Sequence, residues 1–178
     1  MNLYFRLFWL LLTRRLRPAL PLMGESRVQM RVWPNDLDFN FHMNNGRYLT
    51  LLDLGRLDLM LRTKLWGLVR RKRWMPVVAS VNARFRRALN PFQSFTMVTR
   101  TLGWDEKFIY LEQRFLDGQD RLMFHAIVKA ALVGPGGTVP TDEIMAAMDE
   151  PMVSPVLPDA VQAWAAAERA LADSVAAG

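Results

Sequence analysis

One stretch carries most of the reactive side chains of this 178-residue chain: Asp36-Leu37-Asp38-Phe39-Asn40-Phe41-His42-Met43-Asn44-Asn45-Gly46-Arg47-Tyr48. Two carboxylates, an imidazole and paired amides lie in a polar, aromatic loop that runs into a stretch of helix formers. A helix start presents backbone N–H groups without intrahelical partners, at the positive end of the helix dipole. A carboxylate beside them can serve as base or nucleophile while those N–H groups polarise a carbonyl. The same Asp and Asn side chains also satisfy turns with no chemistry at all. Composition alone leaves both readings open.

Other chemistries are absent from the sequence. Zero cysteines exclude a disulfide framework, thiolate-built zinc or iron–sulfur sites and a thiol nucleophile. His42 and His125 are the only histidines, too few for a histidine-built metal site, and no metal is expected. There is no Gly-x-Ser-x-Gly elbow and no His-Glu-x-x-His. Gly134-Pro135-Gly136-Gly137 lacks the Lys-Ser/Thr of a phosphate loop and reads as a turn.

The elements that would position the loop follow from periodicity. Arg27–Val32 alternates as a half-buried strand. Gly46 to about Val69 favours helix, with Asn44 or Asn45 as N-cap. Four more strands are expected. In Val77–Arg87, Val77, Ala79, Val81, Ala83 and Phe85 point inward. Phe95–Leu102 leads to a turn at Gly103–Asp105. Phe108–Leu116 and Leu122–Val133 are joined at Asp117-Gly118. Residues 141–148 and Ala160–Ala176 read as helices. Strand, long helix, then four strands with short turns make an α+β layer. The expected organisation is an apolar and basic segment over 1–24, one domain over 25–148, and a Pro-rich linker with an Ala-rich helix over 149–178.

The spacing Asp-x-Asp-x-x-x-His-x-Asn-Asn-x-x-Tyr resembles the signature of the hotdog-fold acyl-CoA thioesterases, the 4-hydroxybenzoyl-CoA thioesterase-like superfamily. Arg84-Phe85-Arg86-Arg87-Ala88-Leu89-Asn90-Pro91 resembles that family's second strand and its exit. Gly103-Trp104-Asp105-Glu106-Lys107-Phe108 resembles the hairpin of a thioesterase-like branch with animal members. The resemblance implies a five-stranded antiparallel sheet wrapped around a long central helix. It also implies a homodimer or dimer of dimers, and an acyl-CoA or acyl-carrier thioester as substrate with no cofactor beyond the substrate's coenzyme A. It implies a catalytic set of Asp38, Asn45, His42 and Asp36. Asp38 would attack the thioester or activate water, and the amide near Asn45 would polarise its carbonyl. Asp36, His42 and Asn44 would shape the loop, with Tyr48 packing on the first helical turn beside the substrate. Two departures stand out. Phe41 occupies a position where the family often has Gly, and Pro91-Phe92-Gln93-Ser94 replaces the usual Pro-x-x-x-Gly-Asp exit.

Charge distribution suggests partners. The net charge is +6, with Lys+Arg 23 and Asp+Glu 17. Residues 62–87 hold nine basic residues and no acid, and residues 141–178 hold seven acids and one Arg. Arg84, Arg86 and Arg87, with Arg70 to Arg73, could bind coenzyme phosphates, lipid headgroups or only water. Nucleic acid is not expected, because Phe85 alternates inward and is not offered for stacking. Leu3–Leu12 is apolar apart from Arg6 and is followed by Arg14, Arg15 and Arg17. This run is about half the roughly 20 residues of a spanning helix. Three readings remain: a helix lying on a membrane surface through residues 1–17, packing on the protein's own body or a second copy, or a weak spanning anchor or uncleaved signal. The expected location is cytoplasmic, with peripheral attachment at the inner face of the membrane left open.

Overall fold

The computed structural model describes residues 2–148 and 152–176. Helix α1 (Asn2–Thr13) and a 3-10 turn (Arg14–Leu16) precede strand β1 (Glu25–Arg31). Then come α2 (Asn45–Arg62), α3 (Leu65–Lys72), β2 (Met75–Phe85), β3 (Ser94–Trp104), β4 (Ile109–Asp117) and β5 (Leu122–Gly134). The two-residue β6 (Gly137–Thr138), α4 (Thr141–Ala146) and α5 (Asp159–Ala176) complete the chain. The strands form one antiparallel sheet in the order β1-β3-β4-β5-β2, with β6 beside β5.

The period-2 apolar residues of these strands share the face that receives α2. Val28, Phe95, Met97, Phe115, Phe124, Ala126 and Val128 cluster there with Leu51, Leu52, Leu54 and Leu59 of α2. Each fully buried leucine contributes roughly 1.5–3 kcal/mol relative to exposure. Gly55 sets how close the helix comes: a Cβ there would stand 2.8 Å from the Gln113 amide nitrogen. Gln113 is itself buried and donates to Thr99 Oγ1 and the Leu52 carbonyl, each at 3.0 Å.

The long helix expected to reach Val69 is divided. Thr63 takes an extended conformation, and α3 starts at Leu65. The cause lies far away in sequence. The Leu20 N–H donates to the Arg62 carbonyl at 2.8 Å, and Arg62 Nε donates to the Pro18 carbonyl at 2.9 Å. The segment after α1 thus engages the carbonyl that another helical turn would use.

Two strand expectations are also corrected. The β2 register skips Ala79, so Val78 pairs with Ala130 and Val81 with Val128. Val81, Ala83 and Phe85 keep the expected inward face, but the bulge shifts the register so that Val78, not Ala79, continues their alternation opposite Ala130. Gly103 belongs to β3, with φ 154 at a second register shift. The turn is Asp105–Phe108, where Asp105 Oδ1 accepts from the Lys107 and Phe108 N–H groups. On the sheet's other face, α5 buries Tyr110 beneath Val161 and Ala165, and the Tyr110 hydroxyl donates to Asp105 Oδ2 at 2.7 Å.

Candidate active site

Residues 37–43 fold into a tight hairpin. Leu37 and Met43 form an antiparallel bridge, the Asp38 N–H donates to the His42 carbonyl at 2.9 Å, and the Phe41 N–H donates to the Asp38 carbonyl at 3.1 Å. Closing so short a loop requires a left-handed residue, and Phe41 supplies it at φ 58. That conformation favours glycine, the residue that the resembled family often has at this position, so Phe41 holds it at a cost. Phe39 and Phe41 both project into solvent.

At one end of the hairpin, Asp38 is half-buried. Its Oδ1 accepts the Asn40 N–H at 2.9 Å, and its carboxylate has no second hydrogen-bond partner among the described residues. At the other end, Asn44 caps α2, with Oδ1 accepting the Gly46 N–H at 2.8 Å. Asn45 opens the helix and is exposed. Neither its N–H nor its side-chain amide has a partner among the described residues. The loop therefore offers an accessible carboxylate and a free N–H and amide at a helix start. The His42 side chain is exposed beside them and likewise free of partners among the described residues.

Asp36 has a different environment. It is 0% exposed. Arg6 of α1 reaches it from 30 residues away, with Nη2 on Oδ2 at 2.5 Å and Nη1 on Oδ1 at 3.2 Å. Arg47 donates to Oδ1 through Nε at 3.1 Å and Nη2 at 3.0 Å, and the Trp33 N–H donates to Oδ2 at 2.9 Å. Burial pushes this carboxyl up, but the bonds from Arg6, Trp33 and Arg47 outweigh burial and hold it below the ordinary Asp range. So enclosed, its carboxylate presents no surface to solvent. Asp36, grouped with the catalytic residues on sequence, anchors the root of the loop. Arg6 and Arg47 are the functional residues that sequence reasoning missed. Arg47 was discoverable because it lies inside the motif one turn into α2, whereas nothing local marks Arg6.

Tyr48 is buried as well. Its ring stacks on Phe115 and meets Phe85 and Phe124, and its hydroxyl accepts the Leu89 N–H at 3.1 Å. The Leu89 carbonyl accepts the Met43 N–H at 2.9 Å. Tyr48 thus braces the loop against the β2–β3 connection. Phe92, at φ 60, turns that connection back so that its N–H donates to the Val32 carbonyl.

The basic stretch is split. Arg86 and Arg87 are exposed just beyond β2, three and two residues before Leu89, and both N–H groups donate to the Met123 carbonyl. Arg84 pairs with His125 on the face opposite α2. Arg70 to Arg73 precede the other end of β2, about 33 Å away at ~3.3 Å per residue. Of the basic residues in 62–87, Arg86 and Arg87 lie nearest in sequence to Leu89, whose carbonyl meets the loop at Met43.

A cavity of about 370 Å³ lies between α2 and the sheet, walled by residues including Leu54, Leu57, Met60, Val78 and Leu111. It begins near Asp53, roughly 12 Å along α2 from Asn45 at 1.5 Å per residue. Among the described residues no cluster of His, Asp or Glu could hold a metal ion.

Residues 32–164 match the thioesterase-like superfamily. Protein THEM6 of Xenopus laevis is 32% identical over 154 residues, covering 86% of this chain and 73% of that protein. The probable thioesterase YBR096W of Saccharomyces cerevisiae is 35% identical over 83 residues, 46% of this chain and 36% of that one. The chain thus spans most of the frog protein and well under half of the yeast protein. Among solved structures, the probable thioesterase YbaW of Escherichia coli superposes with a TM-score of 0.64 at 19% identity, covering 68% of this chain and 94% of that one. The fold likeness and the match over residues 32–164 agree: the chain is a thioesterase-like protein built on the hotdog fold and belongs to the thioesterase-like superfamily.

Proposed function

We propose that this chain hydrolyses an acyl-CoA or acyl-carrier-protein thioester, with Asp38 as the reacting carboxylate and the α2 start as the carbonyl-polarising group. The observation that carries this reading is the contrast in one loop: Asp36 is enclosed and saturated, while Asp38 is accessible with bonding capacity unused. As base, Asp38 takes a proton from water as the water oxygen bonds to the thioester carbon. The C–S bond then breaks, and the thiolate takes up the proton. As nucleophile, Asp38 forms an anhydride with loss of thiolate, and water then cleaves it to the acid. In either route the carbonyl oxygen gains charge, which the unpartnered Asn45 N–H and amide are placed to stabilise.

The other parts of the reading follow the geometry. The apolar cavity along α2 takes the acyl chain, and Arg86 and Arg87 take coenzyme phosphates. Among the described residues β2 pairs only with β5, which leaves its other edge free. Two copies joined there by a two-fold axis run antiparallel, which brings Arg70 to Arg73 of one copy to the Arg86 end of the other.

The test is free-thiol release from acyl-CoAs of graded length, including aromatic acyl groups. The expected result is turnover in the parent and a loss of at least about 1,000-fold in Asp38→Asn, with substrate binding retained. Binding without turnover across the whole series would favour a non-catalytic acyl-thioester-binding protein on the same fold.

A further inference from the structure

The two faces of α1 do different work. Leu3, Leu7 and Leu10 pack on the core, with Leu10 2% exposed, and Arg6 between them enters the Asp36 cluster. Arg17, just past the 3-10 turn, reaches the buried Asp58 at 2.6 Å. This face fixes the helix to the domain at both ends. The opposite arc, at i, i+1, i+4, i+5 and i+8 spacing, is Tyr4, Phe5, Phe8, Trp9 and Leu12. All five are exposed, Phe5 at 82% and Trp9 at 62%, and Leu16 continues the arc at 85%.

We infer that this outward face docks in the plane of an anionic phospholipid bilayer. Side-chain chemistry favours lipid. Trp and Tyr have an apolar body and a polar tip suited to headgroup depth, and Phe and Leu supply the deeper contacts. Charge is complementary: residues 1–24 contain four Arg and no acid. Arg6 and Arg17 are committed inward, but Arg14 stands exposed at the end of α1. The described helix is 12 residues, about 18 Å against a hydrocarbon core of about 30 Å. No described helix is long and apolar enough to cross a membrane. The face also opens into a groove of about 910 Å³ between α1 and β1, in which Phe5 and Trp9 oppose Met30, Trp33 and Phe95. The groove's far wall, at Trp33 to Asn35, abuts Asp36. Docking therefore holds the catalytic loop at a fixed height above the lipid, through the Arg6–Asp36 pair.

Vesicle flotation of the full chain tests this directly. The probes are vesicles of phosphatidylcholine alone and of phosphatidylcholine with phosphatidylglycerol. The parent should float with the anionic vesicles and less with the neutral ones. Phe8→Asp/Trp9→Asp, at exposed positions that leave the inner face intact, should reduce flotation on both by at least about tenfold. Arg14→Glu should reduce it about tenfold on the anionic vesicles alone, and raised salt should cancel that difference. Circular dichroism checks that the variants are folded, and hydrolysis of a short, soluble acyl-CoA should match the parent. Flotation needs no turnover, so its failure and a failure of the thioesterase reading are separate results. A parent that stays with the unbound fraction on both vesicles overturns the inference. So does equal flotation of parent and double variant. A double variant that changes only the oligomeric state, read by light scattering, assigns the face to a second copy and also overturns it.

Discussion

Asp36 and Asp38 stand two residues apart and face opposite demands. The root of the loop is closed: Asp36 has no contact with water and binds two arginines and a backbone N–H. Two residues on, the loop is open: Asp38 holds one N–H and is only half-buried. The proposed function thus assigns rigidity and reactivity to different carboxylates of one motif. A fixed root allows Asp38 to remain under-bonded without the loop collapsing, as a preorganised site requires.

The strongest challenge to this division is Asp36→Ala. It leaves Arg6 and Arg47 facing each other in a largely buried space, and should cost about 3–5 kcal/mol in urea unfolding. A cost below about 1 kcal/mol would show that the root is not anchored there. Acid offers a second comparison, with a carboxylate pinned on the sheet's other face. His125 lies 3.0 Å from Glu112, and its hydrogen bond, with those of Arg100 and its neighbours, pulls the Glu112 carboxyl down to about 2 against the upward push of burial. A carboxyl lowered in the folded state adds stability above its unfolded value of 4.5, and that stability is lost as pH falls from there to about 2. Glu112→Gln should remove about 2–3 kcal/mol at neutral pH and flatten the stability curve in that acid window. An unchanged acid limb would contradict it. The smallest effect is expected at the tip. Phe41→Gly relieves a left-handed residue that buries little, and the gain exceeds the extra freedom of the unfolded chain. Stability should rise by about 0.5–1 kcal/mol with the denaturant slope unchanged. A loss would mean that the exposed ring has a packing partner, such as a second copy.

Much of this was legible in the sequence. The strands were, because inward residues recur every two positions and Asp117-Gly118 punctuates them. The loop was, because acids, amides and a helix start are packed together. What escaped reading depended on partners distant along the chain. Nothing near Thr63 marks the end of α2, since residues 18–20 end it. The β2 bulge has no glycine or proline signal, so a clean alternation through Ala79 concealed a shift of register. The split of α1 was hidden because both faces are apolar. Only the segregation of leucine inward and aromatics outward separates them, and packing on the core and exposure to a partner had been alternatives for what are two sides of one helix. Arg6 was the hardest to read: a lone charge in an apolar run carries no mark of the aspartate it will meet.

The central claim is the separation of anchor from reactant, and it is tested most directly by measuring kcat and unfolding free energy together for Asp38→Asn and Asp36→Asn. The account predicts a crossed result. Asp38→Asn loses at least about 1,000-fold in kcat and stays within about 1 kcal/mol of the parent in stability. Asp36→Asn loses several kcal/mol and, where still folded, retains a kcat far above that of Asp38→Asn. Substantial turnover in a folded Asp38→Asn enzyme would contradict it.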